Sequence, residues 1–160
     1  MVLPGRPGRD STEQLMLLAG FDAGQTTTRC RISRWDGTRW IIVGEGQGPG
    51  VIHLEATGGP QRFLDAIQRS SAEALRSHPS DAIDAAVIGA SGIDHGTSFE
   101  ESASRLLAEA LVLSRQQVQA TGDERTALRG AFPDGAGLVL ISGTGMICLG
   151  RDETGREHRC

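Results

Sequence analysis

The amino-terminal part of the sequence contains three strand-like segments whose connections are too short to hold a helix. The apolar segment LMLLAGFD (15–22) ends at a turn around Gly24, and TTRCRISRW (27–35) follows it with alternating residue types. A third segment, TRWIIVGEG (38–46), comes directly after Asp36 and Gly37. An Asp-Gly pair between strand-like runs is a strong hairpin signal. The chain is therefore expected to begin with an antiparallel meander.

Glycines and helix-like spacing mark the next part of the chain. The segment GEGQGPG (44–50) is expected to break the sheet pattern, because glycine and proline are poor strand residues. In PQRFLDAIQRSSAEALRS (60–77), the apolar residues recur at helical spacing, which predicts a helix. AIDAAVIGASG (82–92) is rich in alanine and β-branched residues and ends in glycine, as expected for a strand that is covered on both faces.

Two further helix-like segments alternate with strand-like ones up to the end of the chain. Thr97 and Ser98, with Glu100 and Glu101 three positions later, form a capping-box pattern that predicts the start of a helix. The remaining segments are then predicted, in chain order, as a strand at QVQATGD (117–123), a short helix at ERTALRGAF (124–132) and two strands in GLVLISGTGMICLGRD (137–152).

This order of elements predicts an α/β protein built on a mixed five-stranded sheet with flanking helices. The meander supplies three antiparallel strands, and the strands that helices connect extend the sheet in parallel. The last two strands form a separate hairpin. We therefore expect a loose tail at residues 1–14, a first domain at 15–134 and, at 135–160, the opening hairpin of a truncated second domain.

Composition excludes several classes of function. The chain contains no lysine, so it lacks the lysine of a P-loop, the strand lysine of a protein kinase and the amine of a Schiff base. The formal net charge of −4 and the lack of a basic stripe argue against nucleic-acid binding. No apolar run approaches the roughly 18 residues of a membrane span, and no signal peptide is recognisable. We expect a cytoplasmic protein without a membrane partner.

The three cysteines are widely separated in the sequence. Cys30, Cys148 and Cys160 form no C-x-x-C pair, so their spacing suggests neither a disulfide framework nor a zinc site. The simplest interpretation is that they are free thiols.

The first candidate site is the D-x-G-x-T-x-T pattern after the first strand. Asp22 ends the strand, Gly24 lies in the turn, and Thr26 and Thr28 add hydroxyl groups. Small residues let backbone N–H groups approach an anion, and a carboxylate suits Mg²⁺ held through water. The pattern predicts a turn that binds nucleotide phosphates, with Asp22 as the metal residue. An ordinary Asx-type hairpin turn is the alternative.

The second candidate site has the same character and lies between the last two strands. Gly143, Thr144 and Gly145 combine glycines with a hydroxyl at a strand–strand turn. One such turn is a weak signal, but a turn of this kind near each end of the chain is what a two-sided phosphate site requires.

Asp123 is the third candidate, because it follows a predicted strand and opens a predicted helix. The helix dipole favours an ionised carboxylate in the first turn. Such a base could accept the proton of a substrate hydroxyl as that hydroxyl attacks a phosphoryl group. A plain helix-capping acid is the alternative.

Together these residues resemble the BadF/BadG/BcrA/BcrD-type ATPase family, which contains the N-acetylglucosamine kinases and belongs to the sugar-kinase/heat-shock-protein/actin superfamily. The resemblance covers nearly all of the chain from Phe21 onwards. It is carried, in family order, by FDAGQTTTR, GEGQGPG, VIGASGID, TGDERTALRGAF and GLVLISGTGMICLGRDETGREHR. It implies a ribonuclease H-like (actin-like ATPase) fold, ATP and Mg²⁺ as cofactors, and a small-molecule sugar as substrate.

The resemblance also implies a role for individual residues. Thr26 and Thr144 would contact the nucleotide phosphates, and Asp123 would contact and deprotonate the sugar hydroxyl. The residues placed at the sugar by the resemblance, besides Asp123, are Ser91, Gly92, Asp94 and His53.

Two positions depart from the family pattern. Ile52, next to His53, stands where the N-acetylglucosamine kinases carry a sugar-contacting asparagine, and an apolar side chain cannot replace the donor and acceptor of an amide. Met146 stands where the second phosphate motif usually carries serine.

Three functions remain open from the sequence. The leading hypothesis is ATP-dependent phosphoryl transfer to a sugar hydroxyl, of the N-acetylglucosamine or glucosamine kinase type, incomplete in a chain that resembles only the amino-terminal half of the family. A homodimer is one way to complete it. The alternatives are an ATPase that activates a 2-hydroxyacyl-CoA dehydratase through a cysteine-held iron–sulfur cluster, and a non-catalytic truncated domain.

Overall fold

A computed structural model describes residues 16–142 and 146–160 of the chain, which form two β-sheets and three α-helices. The strands of the first sheet are β1 (Leu17–Ala23), β2 (Thr27–Trp35), β3 (Trp40–Pro49), β4 (Ala85–Ala90) and β5 (Val118–Thr121). The helices are α1 (Gly59–Ala74), α2 (Ser98–Leu111) and α3 (Asp123–Ala131), and a short 3₁₀ helix spans Arg115–Gln117. The strands of the second sheet are β6 (Gly137–Ser142), β7 (Met146–Arg151) and β8 (Glu157–Arg159).

The first sheet has the strand order β3-β2-β1-β4-β5. β1 pairs with β2, and β2 with β3, in antiparallel fashion, whereas β1, β4 and β5 run parallel. The mixed five-stranded sheet predicted from the order of elements is therefore confirmed. The second sheet is antiparallel in the order β6-β7-β8, so the predicted hairpin carries a third strand that the sequence pattern did not predict.

One face of the first sheet packs against α1 and α2 and forms the core. Alternate residues of β1, namely Leu17, Ala19, Phe21 and Ala23, are buried on this face. Phe63 and Ile67 of α1 are at most 1% exposed. The opposite face, which carries Asp22, is covered by α3 only in part. That uncovered area is where the candidate site lies.

The segment 44–50 does not break the sheet, contrary to the expectation from its glycines. β3 continues to Pro49, and Gly44, Gly46 and Gly48 pair with β2. The three glycines face α1, where a Cβ atom on Gly46 would lie 2.5 Å from the backbone nitrogen of Ala74 and one on Gly48 2.5 Å from the carbonyl oxygen of Ala66. Glycine is thus used because the backbone of α1 approaches the strand too closely for any side chain.

The capping box predicted at the start of α2 is also replaced by a different arrangement. α2 does begin after Thr97, but the Thr97 hydroxyl donates to the Asp94 carbonyl oxygen (2.6 Å) rather than capping the helix. The Glu100 carboxylate accepts a hydrogen bond from the Gly96 N–H (2.8 Å). The helix start is therefore held by the preceding loop, which is turned by Gly96 at a φ of 76°.

The second sheet packs against α3. Leu149 is 1% exposed, and the Arg151 guanidinium donates to the carbonyl oxygens of Phe132 (2.5 Å) and Gly135 (2.7 Å). Arg125 of α3 pairs with Glu157 of β8 at 2.7 Å. The predicted division at residues 134 and 135 stays a prediction, as does the tail at 1–14, which lies outside the described residues.

Candidate active-site cleft

An open cleft of about 1160 Å³ lies between the uncovered face of the first sheet and α3. Its floor comes from outward-facing residues of β1, β2 and β3, and its wall comes from one face of α3. The charged and polar side chains that line it are Asp22, Arg29, Arg31, Glu45, Gln47, Glu73, Asp123 and Thr126. The cleft thus brings together Asp22 and Asp123, two acids that the sequence analysis singled out separately.

Asp22 lies at the end of β1, directly before the hairpin turn. Its side chain is 68% exposed, and its nearest cation is the Arg29 guanidinium at 3.8 Å. The Gly24 N–H donates to the Thr27 carbonyl oxygen at 3.1 Å and closes the turn, at whose tip Thr26 is exposed. A carboxylate and an exposed hydroxyl therefore flank the same short turn, as the sequence pattern predicts.

Gly50 supports this turn from behind. The Val51 N–H donates to the Gly24 carbonyl oxygen at 3.0 Å, and a Cβ atom on Gly50 would lie 2.5 Å from the carbonyl carbon of Thr26. Because the two backbones touch, the turn can keep its position only while residue 50 has no side chain. Sequence reasoning attached no site role to Gly50, and the signal available was its place at the end of a glycine run.

Thr28 points in the opposite direction from Asp22. It pairs with Ala23 in the register of β1 and β2, and both residues are 0% exposed on the core face. Its hydroxyl has no hydrogen-bond partner within the described part of the chain. Successive residues of a strand face opposite sides of the sheet, so the phosphate contact predicted for Thr28 would require its hydroxyl to leave the core.

Arg29 and Arg31 place positive charge on the cleft floor. The Arg31 guanidinium pairs with Glu45, its direct partner on β3, at 2.7 Å. Arg29 has only the Asp22 contact at 3.8 Å among the ion pairs of the described residues, and its side chain is 70% exposed. An exposed guanidinium beside the turn favours the binding of an anion there. The alternation of residue types along β2 is the sequence signal that could have identified Arg29 as a residue of the cleft floor.

Asp123 is the first residue of α3 and is half-buried at the cleft wall. α3 comes close to the sheet at Gly89, where a Cβ atom would lie 2.8 Å from the Thr126 methyl group. Gly89 is the register partner of Asp22 on the neighbouring parallel strand. Gly89 thus allows α3 to lie close to the sheet, and this distance determines the position of Asp123 relative to Asp22.

Glu124 is a buried acid beside Asp123 that the sequence analysis did not single out. It is 5% exposed, and its carboxyl group packs over Gly122, where a Cβ atom would lie 2.6 Å from the Glu124 Cδ. Burial raises the pKa of the Glu124 carboxyl, and the neighbouring Asp123 carboxyl acts in the same direction. Its sequence context, a second acid in a helix first turn, looks like that of a solvated charge, so no local signal reveals the burial.

Apart from Asp123, the residues predicted to bind the sugar do not line the cleft. His53, Ser91 and Gly92 line a second hollow of about 10 Å³, which has room for about one water molecule. The His53 ring packs edge-on against Phe99 with 5.1 Å between the ring centroids. Asp94 forms an ion pair with Arg159 of β8. The structure therefore groups His53 with Ser91 and Gly92, but it does not bring them into contact with Asp123.

The second predicted phosphate motif cannot be compared with the structure. Gly143, Thr144 and Gly145 lie outside the described residues. The flanking residues Ser142 and Met146 pair across β6 and β7, and the role of the motif stays a prediction.

The chemistry of the Asp22 turn fits a nucleotide bound with Mg²⁺. In the part of the chain that the structure describes, no three His, Cys, Asp or Glu side chains are grouped so as to hold a metal ion. Mg²⁺ keeps several waters and is commonly bound by one or two carboxylates together with substrate phosphates. A single exposed carboxylate at a small-residue turn meets that requirement.

None of the helices in 16–142 and 146–160 has the length and apolar character that a bilayer crossing needs.

Solved structures resemble this chain in fold. A candidate N-acetylglucosamine kinase from Chromobacterium violaceum aligns with a TM-score of 0.64 and 23% identity, over 91% of this chain and 48% of that one. A candidate N-acetylglucosamine kinase from Porphyromonas gingivalis aligns with a TM-score of 0.67 and 20% identity, over 89% of this chain and 46% of that one. A ROK hexokinase from Thermus thermophilus aligns with a TM-score of 0.61 and 19% identity, over 89% of this chain and 49% of that one.

These similarities concern fold rather than sequence. The chain spans about half the length of the solved structures that it matches. No protein-family model and no curated protein matches it. The agreement over nearly all of this chain confirms the fold that the sequence resemblance implied: the chain has an actin-like ATPase fold, as these solved structures do.

Proposed function

We propose that this chain takes part in ATP-dependent phosphoryl transfer to a sugar hydroxyl. The observation that carries the proposal is the position of Asp22 and Asp123 in one cleft, the former at a hairpin turn and the latter at a helix amino terminus. A phosphoryl-transfer site needs a place for the phosphates and a base near the attacking hydroxyl. The two acids supply one candidate for each role.

The hairpin turn is the phosphate side of the proposed site. The exposed Thr26 and the backbone N–H groups of the turn would donate to phosphate oxygens, and Arg29 would add positive charge. Asp22 would hold Mg²⁺ through water, and the bound Mg-nucleotide would supply the phosphoryl group that is transferred. Thr144, with its two glycines, is proposed as a second contact to the phosphates.

Asp123 is proposed as the base. It is the first residue of α3 and so lies at the helix amino terminus, where a carboxylate interacts favourably with the helix dipole. Its Oδ1 accepts the Glu124 N–H at 2.9 Å, which fixes the carboxylate orientation and leaves the second oxygen for the proton of the sugar hydroxyl.

The names of the structural neighbours support a sugar as acceptor. Two of them are named as candidate N-acetylglucosamine kinases and one as a ROK hexokinase. We propose that the sugar lies between Asp123 and the loop that carries Ser91, Gly92 and Asp94, with His53 at its edge. Ile52, which is 39% exposed beside His53, offers an apolar contact rather than an amide.

Sugar-dependent release of ADP tests the proposal. The purified chain is incubated with Mg-ATP and N-acetylglucosamine, with glucosamine, or without sugar, and ADP is measured over time. We expect release that depends on sugar and falls roughly 100- to 10,000-fold in Asp123→Asn, because the base is removed while the side-chain volume is kept.

Asp134→Asn is the matched control. Asp134 is exposed just after α3 and does not line the cleft, so this variant should keep wild-type activity. Sugar-dependent release that is equal in wild-type protein and Asp123→Asn would show that Asp123 is not the base. No release in any arm would refute the transfer function for this chain.

A further inference from the structure

Cys148 and Cys160 lie directly opposite each other on neighbouring strands of the second sheet. The Cys148 N–H donates to the Cys160 carbonyl oxygen at 3.2 Å, and the Cys160 N–H donates to the Cys148 carbonyl oxygen at 3.0 Å. Leu149 and Arg159 are the next pair in the register. Residues of an antiparallel sheet that exchange both hydrogen bonds have Cα atoms about 5.5 Å apart and side chains on the same face.

This arrangement brings the two thiols within reach of a covalent bond. Disulfides join residues whose Cα atoms are about 4.4–6.8 Å apart and whose Cβ atoms are about 3.5–4.5 Å apart. Opposed Cβ atoms of an antiparallel pair are about 4.5–5.5 Å apart, and those of a hydrogen-bonded pair lie towards the longer distance. The two strands therefore have to close by about 1 Å for the bond to form. Cys160 directly follows the last residue of β8, where the backbone is held by one neighbouring strand.

Both thiols lie on the outward face of the second sheet. Leu149 and Arg151, the alternate residues of β7, are buried on the face that packs against α3, whereas Leu140, the β6 partner of Cys148, is 59% exposed. Cys160 is exposed and Cys148 is half-buried. A small reagent in solution can therefore reach the pair.

Cys30 provides a contrast within the same chain. It is 2% exposed in the core of the first sheet, and burial raises the pKa of its thiol to about 12. The thiolate is the reactive form of cysteine, so Cys30 is unreactive while the protein is folded. The chain thus holds one inert thiol and one opposed pair.

We propose that Cys148 and Cys160 form a dithiol site that low-molecular-weight disulfides, such as oxidised glutathione, convert to an intrachain disulfide. One thiolate attacks a sulfur of the small disulfide, which forms a mixed disulfide and releases one small thiol. The second cysteine then attacks the protein sulfur of that mixed disulfide and releases the second small thiol. The two cysteines are oxidised, one small disulfide is reduced to two thiols, and no other reactant is needed.

Oxidation of the reduced, dilute chain with oxidised glutathione tests the site. We expect the intact mass to fall by about 2 Da, the two hydrogens lost from the thiols. Digestion at glutamate residues should give the segment 125–153, which holds Cys148, joined to the segment 158–160, which holds Cys160. Before oxidation, two thiols should react with an aromatic disulfide reagent under native conditions; afterwards none should, and unfolding should expose the thiol of Cys30.

Variants identify the partners. Cys30→Ala should still lose two hydrogens on oxidation, whereas Cys148→Ser and Cys160→Ser should each keep one glutathione as a stable mixed disulfide. Reduction with dithiothreitol should restore both thiols. The proposal is overturned if the oxidised wild-type chain keeps both thiols, carries two glutathiones, links Cys30 to either cysteine, or forms disulfides only between chains.

Discussion

Glu124 carries a carboxyl group that is almost entirely buried beside the proposed base. The surroundings of Glu124 come from Gly122, from Asp123 and from Arg159 of β8, whose charge favours ionisation. The sequence indicates that Asp123 opens a helix, because a strand-like run ends just before it. It does not indicate that the next residue is buried, because an acid in the first turn of a helix is usually solvated. The positions of Asp22 and Thr26 at one turn were predictable for the opposite reason, since that turn depends on the local sequence alone.

The raised pKa of Glu124 predicts a pH dependence of stability. Since the folded chain binds this proton more tightly than the unfolded chain, the stabilisation by neutral Glu124 is complete below the ordinary pKa of 4.5 and is lost as pH rises through the higher pKa of the folded state. Glu124→Gln stays neutral, so its free energy of unfolding should exceed that of the wild type at about pH 7 and match it at about pH 4. Urea unfolding at a series of pH values measures the difference.

Glu101→Gln serves as the control for this comparison. Glu101 is an exposed acid in the first turn of α2. The same substitution there removes an exposed charge and leaves the buried Glu124 in place. If the difference in free energy of unfolding between Glu124→Gln and the wild type stays constant with pH, the pKa of Glu124 is not raised in the folded chain.

The packing of α1 on β3 shows what the sequence pattern predicts at the level of elements and what it does not. The helix and the strands were predictable from periodicity, because each buries one face. The extent of β3 was not, because glycine at alternate positions has a low strand propensity and gives no apolar signal. β3 has glycine at these positions because Ala66, Ser70 and Ala74 of α1 approach the strand closely. That approach is visible only in the packed structure.

A methyl group at Gly46 tests this close packing. Gly46→Ala should lower the free energy of unfolding by about 1–3 kcal/mol, since the added Cβ meets the α1 backbone and the strand or helix must shift. Gly20→Ala is the matched control, because Gly20 is also a strand residue and a Cβ there meets no atom within 4 Å. Urea denaturation should show Gly20→Ala within about 0.5 kcal/mol of the wild type. Equal stability of Gly46→Ala and the wild type would contradict the predicted clash.

The end of α2 contains a strained residue. Val112, the residue after the helix, has a φ of 54° and is 89% exposed. A β-branched residue in the left-handed region is disfavoured by about 1–2 kcal/mol, and glycine is the usual residue there. Val112→Gly should therefore raise the free energy of unfolding by about 1 kcal/mol, whereas Val112→Ala, which keeps a Cβ, should gain less. The strain is absent if the alanine variant is as stable as the glycine variant.

The two sheets meet at α3 and at the loop after β4. Arg125 pairs with Glu157, and Arg159 pairs with Asp94, so β8 contacts both the helix of Asp123 and the loop assigned to the sugar. The alternation of strands and helices predicted the first sheet as a whole, because βαβ connections restrict the topology. The position of β8 was not predictable, since its three residues follow a polar turn and carry no apolar pattern.

At the scale of the whole molecule, we propose that the cleft between the first sheet and α3 binds a magnesium nucleotide at the β1–β2 turn. Isothermal titration with ADP, with and without Mg²⁺, measures this binding in the wild type and in Asp22→Asn. Asp65→Asn is the control, because Asp65 is a half-buried acid of α1 that does not line the cleft. We predict binding that requires Mg²⁺ and that weakens roughly tenfold in Asp22→Asn, equivalent to about 1.4 kcal/mol. Affinity that is the same in all three proteins, or the lack of binding by the wild type, would contradict it.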